Sequence, residues 1–393
     1  MRVKKPWAVF VYLVADDHGG STAPALDDTA ENELDLMFEG VDRRNIHLAV
    51  QVDYRNTRKV WRYLERQPES SLPESSASDP RTIERFLDWA CETAPAERHV
   101  ILFWGHAFGT AGLFPDSRPD APLSRDLLSL TELGSVLSHA NGLMGQAVDV
   151  VMFKNCCLSN VETAYQLQDR AELMIASQAR VPAKGWPYER LLNALVTDRR
   201  GDLSTEQIGR CLVRQLANHY ADTLPVRDVP VTLLRLGAAR LLRDPVTRLS
   251  EALLDTRDHQ SVRWVSTVQD ALRRAAFAGD PAMPDVANLC RYLRDPSGPY
   301  SRTLAEAAQA VEHVVTRQLV LAHYSKTSAF NGAGIFYGSA DAAARSNSIV
   351  ADAADPSEYV RLAFCRDTGW DEIAIDTPRR ANRFQQPAEV TAF

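Results

Sequence analysis

Short apolar runs alternate with helical patterns along the first half of the chain. Residues 8–15 (AVFVYLVA) form a compact β-branched and aromatic run, which is typical of a strand buried on both faces. The same pattern predicts four further strands, at residues 45–53, 99–104, 147–153 and 173–177. Apolar residues at helical spacing predict intervening helices at 29–38, 82–93, 131–140 and 160–168. Strands that alternate with helices indicate an α/β fold with a mostly parallel central sheet.

The pattern changes near residue 190. Helical spacing of apolar residues dominates from there to about residue 320, and residues 332–337 (GAGIFY) then predict a return to a strand of the core. The Pro- and Ser-rich stretch 67–80 predicts an exposed loop. We therefore predict three parts, a sheet core, a mainly helical portion, and a return to the core with a polar tail: 1–190, 190–325 and 326–393.

Composition and charge exclude several classes of protein. The chain has 393 residues and a net charge of −7, so no sequence-wide basic field would attract nucleic acid or anionic lipid. No apolar run approaches the length that crosses a bilayer, and the N-terminal run lacks a small-residue cleavage site. The six cysteines show no C-x-x-C pairing, which argues against a disulfide scaffold or structural zinc. We expect a cytoplasmic protein without nucleic-acid or membrane partners.

Candidate chemistry lies where two predicted strands end. His106 follows the third strand, and the adjacent pair Cys156-Cys157 follows the fourth. Functional groups gather beyond the carboxyl ends of parallel strands, so the imidazole and a thiol emerge side by side if these two strands are neighbours. A thiolate can attack a carbonyl, and a histidine can protonate the amine that leaves. This pairing predicts nucleophilic catalysis by cysteine.

Two short motifs carry a resemblance to a known family. Residues 104–109 (WGHAFG) and 155–158 (NCCL) resemble clostripain-like (C11) cysteine peptidases and their caspase and gingipain relatives. In that family a His-Gly ends one strand, and the catalytic Cys, usually in Asp-Ala-Cys, ends the next. Four further segments resemble the family in the same order, at 161–167, 176–178, 185–188 and 332–338. The resemblance implies a caspase-like three-layer α/β sandwich that acts on protein or peptide substrates. It implies no cofactor, although calcium binding stays open.

The resemblance also assigns roles within the site. It implies Cys157 as nucleophile, His106 as its partner, and the backbone N–H groups of Ala107 and Cys157 as the oxyanion hole. Ala107 stands where the family has Gly, and it keeps the N–H. Cys156 would then point into the sheet, because side chains alternate along a strand. Two alternatives remain: Cys156 as nucleophile with Cys157 inside, and a metal site of both cysteines with His106, although adjacent cysteines rarely face one ion.

The substrate pocket is predicted from departures from the family pattern. Asn155 replaces the Asp that lines the pocket in relatives, so its charge is lost. Asp16 and Asp17 follow the first strand and could supply a carboxylate, although both could equally be turn residues or calcium ligands. Trp186 is expected near the substrate cleft, or else is a core aromatic. We predict a preference for Arg or Lys before the scissile bond.

Activation by an internal cut is a further expectation. The loop from residue 109 to about 131 is rich in Pro, Asp, Ser and Arg, which marks an exposed, protease-accessible segment. Of its two arginines, Arg118 precedes Pro119, which disfavours binding in most peptidase clefts, so Arg125 is the predicted processing site. The enzyme itself or an upstream activating peptidase would make the cut. Regulated proteolysis, including bacterial defence, fits such a device.

Two other classes of function compete with a peptidase. A catalytically inactive caspase-like binding module would keep the fold and use the helical portion to dock a partner. A Rossmann-like nucleotide binder is suggested by the sheet alone. However, no Gly-x-Gly-x-x-Gly follows the first strand and the sequence has no Walker motif, so the nucleotide binder ranks last.

Overall fold

The fold is seen in a computed structural model that describes residues 3–16, 26–54, 59–73, 75–116, 126–183, 185–196, 203–259, 268–275, 279–296, 301–338 and 348–375. Its strands are β1 (Lys5–Val14), β2 (Ile46–Tyr54), β3 (Lys59–Leu64), β4 (Gln67–Pro73), β5 (Ala96–Trp104), β6 (Leu113–Asp116), β7 (Asp126–Leu128), β8 (Val148–Lys154), β9 (Ala171–Ala176), β10 (Val231–Arg235) and β11 (Val320–Tyr324).

The helices flank these strands in the chain. The longer ones are α1 (Asp27–Gly40), α2 (Pro80–Thr93), α3 (Leu130–Met144), α4 (Val161–Gln166), α5 (Tyr188–Val196), α6 (Thr205–Thr223), α7 (Arg243–His259), α8 (Gln269–Ala275), α9 (Val286–Tyr292) and α10 (Arg302–Val314). Four short helices follow, α11 (Ile349–Ala353), α12 (Pro356–Tyr359), α13 (Ala363–Thr368) and α14 (Asp371–Ala374). In the described ranges, no helix is long and apolar enough to cross a membrane.

Nine strands form one sheet in the order β11-β10-β9-β8-β5-β1-β2-β3-β4. The centre, from β9 to β2, is parallel, and the outer pairs on both sides are antiparallel. Strand β1 lies within the parallel centre, between β5 and β2, and both its faces are apolar. Phe10 and Tyr12 pack with helices α2 and α3, whereas Val9 and Leu13 pack with α1, α5 and α6 on the opposite face. The predicted three-layer α/β fold is confirmed.

Several predicted elements differ from the observed ones. Residues 67–73, predicted as loop, form the edge strand β4, because pairing with β3 outweighs the low strand propensity of Pro and Ser. Edge position is where a strand tolerates proline. The portion predicted as mainly helical also contributes β10 and β11 to the sheet.

Residues 332–338, here termed the C-terminal clamp, are extended but do not form a strand of the sheet. Gly334 forms isolated bridges with Asn160 on one side and Asp285 on the other. Its N–H donates to Ser159 O at 2.9 Å, and its carbonyl accepts from Val161 N–H at 2.9 Å. The prediction of a late core strand is therefore wrong, because these residues pair with the segments around Asn160 and Asp285 and not with a strand of the sheet. The clamp instead holds the chain that follows the two cysteines.

Candidate active site

The ends of β5 and β8 lie side by side, which is the arrangement that the cysteine–histidine hypothesis requires. The two strands are parallel neighbours, and Trp104 pairs with Lys154 as the last step of the ladder. His106 and Cys156 each follow two residues after these paired ends. Beyond the ladder, the side-chain amide of Asn155 donates to the carbonyl of Gly105 at 2.7 Å. This hydrogen bond joins the loop that carries the histidine to the loop that carries the cysteines.

The two cysteines lie the opposite way round from the sequence expectation. Cys157 is 1% exposed and packs in the core with Ala107 and Phe114. Cys156, which was expected to point into the sheet, is half-buried. The expectation is wrong because strand alternation stops at Lys154, and Cys157 takes a φ of +59°, a left-handed conformation that turns the chain. The structure therefore supports the alternative with Cys157 inside.

The groups around the two thiols shift their pKa values to different extents. Burial raises the pKa of Cys157 well above its ordinary value, and the neighbouring Cys156 and Asp280 raise it further, although Arg180 opposes the rise. Burial also raises the pKa of Cys156, but the Val181 N–H, Arg180 and Arg227 oppose that rise. The Val181 N–H donates to the sulfur of Cys156 at 3.4 Å. The pKa of Cys156 is still raised, but a donor and two cations around its sulfur make the rise smaller.

Backbone donors distinguish the two residues as well. The N–H of Cys157 donates to Ala179 O at 3.2 Å, so it is not available to an oxyanion, and its predicted role there is contradicted. In the described part of the chain, the N–H groups of Cys156 and Ala107 donate no hydrogen bond. Ala107 is buried and does not have a positive φ, so the Ala that replaces Gly is tolerated without strain. Ala107 and Cys156 are thus the candidate oxyanion donors.

Two predicted pocket residues are structural. Asn155 is 1% exposed, and its side-chain amide donates to the Gly105 carbonyl. It therefore positions the two loops rather than lining a pocket. Trp186 is 4% exposed, and its indole N–H donates to Tyr220 Oη at 2.8 Å. The structure therefore places Trp186 in the core between the sheet and α6, in agreement with the alternative that it is a core aromatic.

Asp16 lies at the same sheet edge as His106. It follows β1, the direct neighbour of β5, and it is half-buried. Its N–H donates to the carbonyl of Asp53, a buried residue near the end of β2. Two carboxylate residues thus lie at the carboxyl ends of adjacent strands. The other predicted pocket residue, Asp17, and the predicted processing site, Arg125, lie outside the described residues.

A buried ion pair beneath the site was not predicted. Lys154 forms an ion pair with Glu33 of α1, and both side chains are almost fully buried. The lysine Nζ lies 5.4 Å from the ring centroid of Trp104 and 5.6 Å from that of Tyr188. Burial lowers the pKa of Lys154 to about 8, although Glu33 opposes the shift. A lysine at the end of an otherwise apolar strand was the signal in the sequence.

Glu33 connects this pair to the segment after β9. Its second oxygen accepts from the N–H of Gly185 at 2.8 Å. The pair therefore fixes β8, helix α1 and the residues before α5 relative to one another. In the described ranges, no group of three or more His, Cys, Asp or Glu side chains could hold a metal ion. Calcium binding stays a prediction.

Comparison with known proteins decides the family. The model of the clostripain family, Peptidase_C11, matches residues 11–373. The chain belongs to the clostripain family of cysteine peptidases. Clostripain of Hathewaya histolytica is 23% identical over 141 residues, which are 32% of this chain and 26% of that protein. The match thus spans about a quarter of that relative.

Solved structures agree in fold. A secreted C11 cysteine protease from Bacteroides thetaiotaomicron, in complex with an irreversible peptide inhibitor, has a TM-score of 0.64 at 16% identity. The alignment covers 93% of this chain and 99% of that protease. An inactive zymogen C11 protease from Parabacteroides distasonis has a TM-score of 0.64 at 14% identity, covering 94% and 99%. The fold is the caspase-like fold of these proteases.

Proposed function

We propose that the chain is an active cysteine endopeptidase in which Cys156 is the nucleophile and His106 its partner. One observation carries this assignment: Cys156 combines a half-buried thiol with a backbone N–H that donates no hydrogen bond in the described residues. Cys157 has neither property, because its side chain is in the core and its N–H is bonded to Ala179. The assignment moves the nucleophile by one residue from the position that the sequence motif favours.

The reaction follows from these groups. The thiolate of Cys156 attacks the substrate carbonyl, and a bond forms between sulfur and carbon. The carbonyl oxygen becomes an oxyanion that accepts from the N–H groups of Cys156 and Ala107. His106 gives a proton to the amine as the peptide bond breaks. Water then attacks the thioester with His106 as base, and the thiol returns as the acid product leaves.

The one-residue shift changes which residue corresponds to the family's Asp. Counting back from Cys156, the Asp of Asp-Ala-Cys is replaced by Lys154 rather than by Asn155. Because Lys154 is paired with Glu33 in the interior, it brings no net charge to a substrate. We propose that Asp16, at the end of β1, supplies the carboxylate that prefers Arg or Lys before the scissile bond.

Activation by cleavage after Arg125 is part of the proposal. Strand β6 precedes Arg125 and strand β7 follows it, and the two strands pair with each other. Strands β5 and β8 pair in the central sheet. Both fragments would therefore stay associated after a cut. The cut could be made by the enzyme or by an upstream activating peptidase, in regulated proteolysis such as bacterial defence.

One experiment tests the assignment. Purified wild type, Cys156→Ala and Cys157→Ala are incubated with a peptide library and with a thiol-reactive peptidyl probe. We expect cleavage and labelling in wild type and in Cys157→Ala, and loss of both in Cys156→Ala. If Cys157→Ala folds but has no activity, Cys157 is the nucleophile, as the sequence motif favours. If no form, including wild type, cleaves the library, the chain is an inactive binding module.

A further inference from the structure

A cavity of about 550 Å³ lies between strands β2–β4 and helix α2, away from the two cysteines. Its lining includes two arginines and an indole, together with polar groups of the sheet edge: Gln51, Arg62, Leu72, Pro73, Ser75, Thr82, Arg85, Asp88, Trp89 and Glu92. None of these residues belongs to the candidate active site. Cavities of this size commonly hold cofactors and small metabolites.

Arg62 forms the base of the cavity. The residue is 9% exposed, and its Nε donates to Gln51 Oε1 at 2.9 Å. Its guanidinium lies 5.3 Å from the ring centroid of Trp89. In the described residues, its terminal nitrogens donate no hydrogen bond and it forms no ion pair. A buried cation without a counter-ion is costly, so such a group is normally paired.

Arg85 adds a second guanidinium at the rim. Its only hydrogen bond to a described residue runs to Thr82 Oγ1 at 3.1 Å, and in the same ranges it has no ion pair. Burial, and after it the nearby Arg85, lowers the pKa of Arg62, whereas Tyr12 and Asp88 oppose the shift. Of the acids at the rim, Asp88 is held by His139 Nε2 at 2.8 Å. Neither arginine forms an ion pair with a described carboxylate, although Asp88 and Glu92 line the same cavity.

We propose that this cavity binds a small anionic ligand, held by Arg62 and Arg85 with the indole of Trp89 as a flat wall. Guanidinium groups recognise phosphate and carboxylate oxygens by paired N–H donors, and two of them suit a phosphate that carries more than one charge. The volume accommodates a phosphorylated metabolite or a mononucleotide. A dicarboxylate offers the same chemistry, so the two sources are separated by experiment.

Packed aromatic side chains connect the cavity with the candidate active site. The Trp89 ring lies 6.0 Å from Phe86, and Phe86 lies 5.9 Å from Tyr12. Tyr12 lies 5.5 Å from Phe114, whose N–H donates to His106 O at 3.0 Å. These contacts connect the wall of the cavity with the loop that carries His106.

Isothermal titration calorimetry on the full chain tests the site. Inorganic phosphate, pyrophosphate and AMP form one arm, and succinate and citrate form the other, at constant ionic strength. We expect saturable binding in one arm that weakens at least tenfold in Arg85→Gln. Arg81→Gln, which removes an exposed arginine of the same helix outside the cavity, is the matched control and should bind as wild type does.

The arms and variants decide the outcome. Tighter binding of the phosphates, or of the dicarboxylates, supports the site and assigns its ligand class. Arg62→Lys, checked for folding by circular dichroism, should also weaken binding, because lysine cannot reproduce the paired donors. Absence of binding in both arms at millimolar concentration overturns the proposal. So does binding that both arginine variants leave unchanged.

Discussion

Glu162 in helix α4 accepts a hydrogen bond from the backbone N–H of Phe336 at 2.7 Å, although 174 positions separate the two residues in the sequence. The same oxygen accepts from Tyr359 Oη at 3.0 Å, whereas the other oxygen has no partner among the described residues. Glu162 and Phe336 are both fully buried. The pair fixes the C-terminal clamp to the helix that follows the cysteines.

The first prediction concerns the ionisation of Glu162. Burial raises its pKa from 4.5 to about 7, although the two hydrogen bonds oppose the shift. The folded state thus binds a proton more tightly than the unfolded state, so this contribution to stability is complete below pH 4.5 and is lost as pH rises to about 7. Glu162→Gln should remove that fall and raise the free energy of unfolding at pH 8 by about 3 kcal/mol.

Urea unfolding between pH 4.5 and 8 measures this effect. Glu172→Gln, at an exposed position of β9, is the matched control and should keep the pH dependence of wild type. A Glu162→Gln protein whose stability still falls through this range would show that another group is responsible.

The second prediction separates the two thiols. Cys157→Ala should leave kcat/KM within about threefold of wild type and cost about 1–2 kcal/mol, because it removes a buried sulfur from the core. Cys156→Ala should reduce kcat/KM by at least 10³-fold with little change in stability, since covalent catalysis is lost. Kinetics with a fluorogenic peptide and urea unfolding check both variants. The reverse pattern would return the nucleophile to Cys157.

The third prediction concerns Asn155. Asn155→Asp should lower activity at least tenfold, because a carboxylate cannot donate to the Gly105 carbonyl 2.7 Å away. The buried charge should also lower stability by about 1–3 kcal/mol. Kinetics with Arg and Ala substrates, beside urea unfolding, provide the check. Improved cleavage after Arg would instead place residue 155 in the substrate pocket.

The fourth prediction concerns the buried ion pair. Lys154→Met leaves the Glu33 carboxylate buried without its partner, which should cost about 3–5 kcal/mol. Adding Glu33→Gln should recover much of the loss, because the remaining groups are neutral. A double-mutant cycle by urea unfolding measures the coupling. Additive effects of the two substitutions would mean that the pair does not stabilise the fold.

The fifth prediction concerns specificity. Asp16→Asn should lower kcat/KM for Arg and Lys substrates at least tenfold while leaving Ala substrates within twofold, since a charge-assisted hydrogen bond contributes about 1.5–3 kcal/mol. Asp35→Asn on the exposed face of α1 is the control for a general change in charge. Equal cleavage after Ala, Asp and Arg by the wild type would end the hypothesis of basic specificity.

The parallel centre of the sheet could be predicted because its strands are continuous apolar runs. Each of the five predicted strands has an observed counterpart, and β5 and β8 are neighbours, which is the condition that the cysteine–histidine hypothesis required. Strand β4 could not be predicted, because its residues have weak strand propensity and are held only by pairing with β3. Local composition does not report such a partner.

The orientation of the two cysteines lay beyond the sequence for a different reason. Alternation holds only while the chain stays extended, and nothing in the sequence shows that Cys157 adopts a positive φ. The Lys154–Glu33 pair was missed similarly, because its partners are 121 positions apart. Contacts between distant residues decide both features.

The C-terminal clamp has a consequence for the order of events during synthesis. Ser159 Oγ donates to Gly332 O at 2.6 Å, and Gly334 bonds on both sides of Asn160. The Ser159 carbonyl and the Val161 N–H therefore lack their Gly334 partner until residues 332–338 have left the ribosome. A nascent chain that carries only the histidine and cysteine strands is incomplete at the loop after the cysteines.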